Sequence, residues 1–204
     1  MQTDSRGVEV RDLGHVDRAA AVAVIARGME DNPIHLAAYR GDAAWRRRAH
    51  GRVVGALVAA SPSLHLLGAA RSGALVAVAG SAPPGTCQPT GKARLRLLTA
   101  AVSLGPATAS RLVRWNAGWA RHDPEEPHMH LGPVAVDAGL RGHGLGGLLL
   151  REHVRRLDAV GAVGFLETDR PRAVGFYERF GYVVVEQADV LGVPCWFMRR
   201  PAAS

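Results

Sequence analysis

Two cysteines in 204 residues, Cys87 and Cys195, are too few and too scattered for a disulfide framework or a zinc site. A reducing cytoplasm is the expected setting, and no metal centre is expected. Long apolar runs are also missing. Leu97–Leu104 stops at Gly105-Pro106, well short of the roughly 20 residues a bilayer demands, so no membrane association is expected. The opening Met1-Gln2-Thr3-Asp4-Ser5-Arg6 has no apolar core of the kind a secretory signal carries. Lysine occurs once, at Lys92, and aromatic residues make up only 5%. The one dense basic run, Arg46-Arg47-Arg48, has no aromatic neighbour beyond Trp45. No helix-turn-helix, zinc-finger or RNA-recognition signature accompanies it, so nucleic acid is not an expected partner.

What is present suits a single globular enzyme domain over 1–204. Hydrophobic residues at 48% are ample for a packed core. A formal net charge of +7 favours a polyanionic small ligand. Monomer and homodimer are equally compatible with this composition.

The most informative stretch is Arg141-Gly142-His143-Gly144-Leu145-Gly146-Gly147. It follows a strand-like segment, Leu131–Val136, and opens a helix-like one, Leu148–Val160. Glycine lets backbone turn tightly and approach a ligand closely. A helix start presents unpaired N–H groups and a partial positive charge. Together they make a cradle for a phosphate or diphosphate. A P-loop would need Lys-Ser or Lys-Thr after its glycines, and neither follows. A dinucleotide fingerprint would need an acid at the end of a second strand about 20 residues on. Asp158 and Glu167 do not stand there.

The same spacing, strand then Arg-x-x-Gly-x-Gly then helix, resembles the acetyl-CoA-binding motif of the GNAT superfamily of N-acyltransferases. A second segment shares the resemblance: Phe165-Leu166-Glu167-Thr168-Asp169, then Ala173–Tyr182 with its Phe176-Tyr177-Glu178 helix. The stretch His122–Gly132 and the closing Trp196–Pro201 resemble the branch that includes puromycin-type antibiotic acetyltransferases. The match covers 122–201; over 1–121 only the order of elements agrees.

The resemblance implies an α/β (α+β) fold with a mixed central sheet of about seven strands and helices on both faces. The sheet should splay between its fourth and fifth strands, here 128–136 and 165–169, to admit the cofactor. Acceptor-side elements would occupy 1–127, the acetyl-CoA core 128–182 and terminal strands 183–200. Within the chain, Val8–Leu13, Leu64–Ala70 and Ala74–Gly80 read as strands; Val16–Met29, Ala43–Ala60, Lys92–Leu104 and Ala107–His122 read as helices. Pro133 inside the fourth strand predicts a bulge or an unpaired stretch, since proline cannot donate to a ladder.

The implied activity is direct transfer of an acetyl group from acetyl-CoA to a primary amine of a small molecule. A protein N-terminal or lysine acetyltransferase and a non-catalytic CoA-binding module are the alternatives. The diphosphate would meet Arg141, Gly142, His143, Gly144, Leu145, Gly146 and Gly147. The backbone of Val134, Ala135 and Val136 would hold the pantetheine arm and supply a donor to the thioester oxygen. Thr168 at the end of the fifth strand would add a cofactor contact. An asparagine that the family commonly carries seven residues before the helix tyrosine is Arg170 here, so Arg170 or Arg172 could meet a CoA phosphate. Tyr177 matches the tyrosine that protonates the leaving thiolate, a task a phenol suits because it stays protonated at neutral pH. His130 is the first choice of base, as a histidine neutral near pH 7. Glu125, Glu126, His128 and Glu167 are the expected acceptor contacts, and Asp169 is either a site residue or a helix cap.

Overall fold

Glycine and proline divide this chain where its periodicity changes. The computed structural model describes residues 2–3 and 7–203. Met1 and Asp4–Arg6, part of the opening segment read above for a signal sequence, lie outside the described residues, as does Ser204. Among the described residues eight strands form one sheet: β1 (Gln2–Thr3), β2 (Val8–Asp12), β3 (His65–Arg71), β4 (Ala74–Ala82), β5 (His128–Val136), β6 (Val163–Thr168), β7 (Val183–Val190) and β8 (Val193–Arg200). β1 has two residues, so seven strands carry the sheet, as expected. Seven helices cover it: α1 (Arg18–Gly28), α2 (Pro33–Tyr39), α3 (Ala43–Ala60), α4 (Gly91–Val102), α5 (Pro106–Ala120), α6 (Leu145–Ala159) and α7 (Pro171–Glu178). Three of them begin on proline, whose fixed φ suits a first helical position and whose missing N–H costs nothing there. The short helix α2 and the two-residue strand β1 were not anticipated from the sequence. No described helix is long and apolar enough to cross a membrane.

The strand order is β1-β2-β3-β4-β5-β6-β8-β7. Every pairing is antiparallel except β5 with β6. Alternate residues of a strand face opposite sides, and the core divides accordingly. Leu66, Val78 and Ala135 pack with Ala21, Val24 and Ile25 of α1 and Val54 and Val58 of α3. Leu67, Ala77, Ala79 and Leu131 pack with Leu149, Leu150 and Leu157 of α6. Leu149 and Leu150 are completely buried. The helix expected over Leu148–Val160 starts three residues earlier, at Leu145, because Gly146 and Gly147 sit in its first turn rather than in the preceding loop.

The splay anticipated between the fourth and fifth strands lies between β5 and β6. The two pair in parallel only at His128–Val163, Met129–Gly164 and His130–Phe165. Beyond that point β5 stays with β4 while β6 stays with β8 as far as Thr168–Trp196. The irregularity expected at Pro133 is also present. The β4–β5 register shifts between Ala79 and Ser81, so Gly132 and Pro133 together face Gly80 in a bulge. The bulge bends β5 away at the level where β6 leaves it.

Helix α1 ends against the diverging part of β5. A Cβ at Gly28 would lie 2.7 Å from the Val136 carbonyl oxygen and 3.0 Å from the Ala135 Cβ. Neither neighbour can yield without moving the strand. Gly28→Ala should therefore destabilise the fold by about 1–3 kcal/mol, the cost of overpacking, seen as a lower urea midpoint at an unchanged slope.

Candidate functional site

The gap between β5 and β6 exposes backbone. Asp137 N donates to Val76 O at 3.0 Å. Along an antiparallel pair, hydrogen-bonded and non-hydrogen-bonded residues alternate. In the register Ala77–Val136, Val78–Ala135 and Ala79–Val134, Ala135 is the next bonded residue. The N–H of Ala135 is thus committed to β4, contrary to the expectation that it could serve a ligand. Those of Val134 and Val136 turn toward the open side.

Below the gap lies the glycine turn. Gly142 and Gly144 have φ of +81° and +80°, the left-handed region that glycine enters without strain. Gly144 is the residue from which α6 starts. By α-helix geometry the N–H groups of Leu145, Gly146 and Gly147 have no carbonyl within the helix to bond. Three arginines were expected as counter-charges here, a fourth, Arg151, lines the cavity as well, and the fold divides them. Arg141 lines the cavity, and its guanidinium bonds both oxygens of Asp31 at 2.7 Å and the Gly28 carbonyl at 2.6 Å. Arg170 bonds the same carboxylate at 2.9 Å. One carboxylate, 110 residues away from Arg141 in sequence, thus holds both side chains where they line the cavity. Arg172 and Arg151 remain exposed and line the cavity, Arg151 beside Gly147. His143 is exposed, with its Nδ1 3.0 Å from the Arg141 carbonyl oxygen.

A cavity of about 1590 Å³ runs from this turn through the gap to the acceptor-side helices. Tyr177 lines it, 8% exposed. Burial, with the negative charge of Asp169, raises its phenol pKa further above the usual value. Thr168 and Glu167 line the wall opposite β5. Asp169 caps a helix, but not α7: its carboxylate accepts from Ile34 N at 2.6 Å, inside the first turn of α2, and from Asn32 Nδ2 at 3.4 Å. It thereby ties the end of β6 to α2.

The far end of the cavity is a wall that the sequence reading did not single out. His35 and Tyr39, four residues apart on α2, meet His50 of α3 and Trp115 of α5. The two histidine Nε2 atoms are 3.2 Å apart, and Tyr39 Oη is 3.1 Å from His50 Nδ1. Burial holds both imidazoles neutral, His50 at about 3 and His35 well below its usual value. His35 Nδ1 and Trp115 Nε1 are buried without hydrogen-bond partners among the described residues. The i, i+4 spacing of His35 and Tyr39, and of Trp115 and Trp119, was the available signal.

His130 does not suit the role of base. Burial pushes its pKa down, but Glu167 Oε2 at 3.0 Å from Nε2 and Asp123 Oδ1 at 3.9 Å from Nδ1 more than reverse this, to about 10. The ring is therefore an imidazolium at neutral pH, and the expected neutral acceptor is not there. His128, expected as an acceptor contact, lies behind the cavity wall with Nδ1 2.9 Å from the Glu126 carbonyl and Nε2 3.1 Å from Asp123. Glu126 is held by Arg199, and Glu125 is exposed; neither lines the cavity. Both belong to the turn before β5, which points away from the gap. Of the expected acceptor contacts, Glu167 alone reaches the cavity.

Comparison with known proteins places this arrangement. A family model described as the Acetyltransferase (GNAT) family matches residues 29–182. A Corynebacterium glutamicum structure described as histone acetyltransferase HPA2 and related acetyltransferase is similar at 24% identity over 97% of both chains, with a TM-score of 0.71. A GNAT family acetyltransferase from Brucella melitensis, solved with acetyl-CoA, is 19% identical over 98% of this chain and 90% of that one, with a TM-score of 0.57. The ribosomal-protein-S18-alanine N-acetyltransferase of Escherichia coli is 14% identical over 97% and 95%, with a TM-score of 0.55. At these identities the structures share the fold.

The two arginines on Asp31 hold its carboxyl at about 2, the Arg141 hydrogen bonds contributing most. A carboxyl lowered on folding contributes stability above its ordinary pKa and loses it as pH falls through the lowered one. Asp31→Asn should be less stable than the wild type at neutral pH. The gap, measured by urea unfolding, should narrow below about pH 4 and close near pH 2.

Proposed function

Because the chain belongs to the GNAT family of acetyltransferases, whose acetyl donor is acetyl-CoA, we propose that it acetylates a primary amine of a small molecule by direct transfer. The observation that carries the acceptor class is the cavity's lining. It continues from the cofactor cleft to Leu97, Leu98 and Ala101 of α4 and Leu112 and Trp115 of α5. Its end wall of Trp115, Tyr39, His35 and His50 suits a flat, heteroatom-bearing ring. The buried Trp115 N–H and the buried His35 Nδ1 would find partners on such a ring. The likeness of His122–Gly132 and Trp196–Pro201 to the puromycin-type branch supports an amino-nucleoside or similar antibiotic within that class.

In this reading the N–H groups of Gly142, His143, Gly144, Leu145, Gly146 and Gly147 hold the diphosphate, and Arg151 and Arg172 neutralise it from the rim. The N–H and C=O groups of Val134 and Val136 align the pantetheine arm as a pseudo-strand in the gap. Such orientation supplies several kcal/mol of the barrier. One of these two N–H groups meets the negative charge that develops on the thioester oxygen. Thr168 flanks the arm on the β6 side. Glu167, buried and negative, holds the acceptor nitrogen facing the thioester. The amine attacks as the free base after losing its proton toward solvent. The tetrahedral intermediate then expels CoA as a thiolate, Tyr177 gives it the phenolic proton, and the proton that the nitrogen sheds as the amide forms passes through solvent to restore the phenol.

Thiol release from acetyl-CoA against a panel of aromatic amines, amino-nucleosides and peptide amines tests the class. Turnover confined to peptides would replace it with a protein acetyltransferase. Tyr177→Phe should lower kcat at least about 100-fold, the usual scale for a lost general acid, with little change in acetyl-CoA affinity. Equal loss of both would contradict a proton donor. Gly144→Val should reduce CoA affinity by calorimetry more than about tenfold, through the φ it cannot adopt and the diphosphate space it fills. Gly139→Ala, with nothing within 4 Å of the added carbon, should leave affinity intact.

A further inference from the structure

We propose that Cys87, Asp123, His128 and His130 form a zinc site in the wall of the acceptor cavity. They come from three separate segments. Cys87 lies in the loop between β4 and α4, Asp123 in the turn after α5, and the histidines at alternate positions of β5, on one face. One atom from each lies within 4.8 Å of all the others. Asp123 Oδ1 is 3.1 Å from His128 Nε2 and 3.9 Å from His130 Nδ1, and Asp123 Oδ2 is 3.3 Å from Cys87 Sγ. Ligands on tetrahedral zinc stand roughly 3.3–3.8 Å apart, given the metal–ligand bond lengths.

Three of these atoms have no hydrogen-bond partner among the described residues, although all are buried: Asp123 Oδ1, His128 Nε2 and His130 Nδ1. The 3.1 Å contact is misaligned for a hydrogen bond and the 3.9 Å contact is too long for one. Orphaned buried polar atoms are uncommon singly, and here three converge on one place. His128 is only 4% exposed, so bulk solvent does not reach it. One cation satisfies all three.

The surroundings fit as well. Histidine ligands of zinc usually commit their second nitrogen to a carbonyl or carboxylate, which sets the ring's orientation and tautomer. His128 Nδ1 is 2.9 Å from the Glu126 carbonyl, and His130 Nε2 is 3.0 Å from Glu167. Gln88 Nε2 donates to Asp123 Oδ2 at 3.2 Å. A mixed sulfur, nitrogen and oxygen set favours zinc over calcium or magnesium. With four protein ligands the site is closed, and its role is structural. It pins the 83–90 loop and the 121–127 turn to β5. On binding, the Cys87 thiol proton and the second His130 ring proton pass to solvent. The cysteine spacing that argued against zinc in the sequence missed the site because three of its four ligands are not cysteine.

The full chain, purified under reducing conditions and stripped by dialysis against a chelator, is titrated with Zn²⁺ against a chromophoric chelator, and separately with Co²⁺. The expected results are one ion per chain, tetrahedral Co²⁺ ligand-field bands with a sulfur charge-transfer band, and a higher Tm with Zn²⁺. Cys87→Ser should lose the charge-transfer band, and His128→Gln should weaken Zn²⁺ binding at least tenfold. The wild-type spectrum decides alone if a variant fails to fold. Substoichiometric binding, an octahedral spectrum, or a sulfur band that survives in Cys87→Ser overturns the site. None of these outcomes depends on acetyl transfer.

Discussion

The parting of β5 from β6 is the constraint on which the rest of the molecule depends. Two parallel strands bonded for three residues and then separated leave backbone donors unpaired inside a protein, a state that normally costs stability. The fold tolerates it because each strand keeps its other neighbour, β4 on one side and β8 on the other. The bulge at Gly132-Pro133 bends β5 at the level of the divergence, and Asp169 anchors the end of β6 to α2. The gap is thus held open from both sides before any ligand arrives, which is the preorganisation that catalysis by positioning requires.

The charges follow a similar economy. A basic chain that binds a polyanion need not aim its nearest arginines at it. Arg141 and Arg170 both close on Asp31, so they brace the glycine turn and the β6–α7 junction against the end of α1. The start of α6 still presents backbone N–H groups, which lose no side-chain entropy on binding, and Arg151 and Arg172 stay exposed on the cavity lining. His130 shows the same logic on the other wall: with no metal bound, Glu167 and Asp123 make it a cation. Glu167 is shared between that wall and the cavity, so the part of the site facing the acceptor rests on the cluster behind it.

Much of the fold was legible because its signals are local. The bounds of α3 and β5, the β3–β4 hairpin, the break at Gly105-Pro106 and the irregularity at Pro133 each follow from a few neighbouring residues. Helix α2 escaped because seven residues that begin on a proline carry too little periodicity to distinguish them from a loop. The aromatic wall escaped for a different reason. His35, Tyr39, His50 and Trp115 lie on three helices whose mutual packing no short window reveals.

By itself the sequence determined the glycine turn, the tyrosine-bearing helix that faces it and the family to which both belong. These rest on backbone conformations that only particular residues adopt, and on spacings within one strand-turn-helix unit. Only the tertiary structure decided which charged groups are available: Arg141, Arg170, Glu126 and His130 all carry the right chemistry for a ligand, and each is already spent on a partner. Charge interactions depend on distance in space and on burial, and neither is a property of neighbours along the chain.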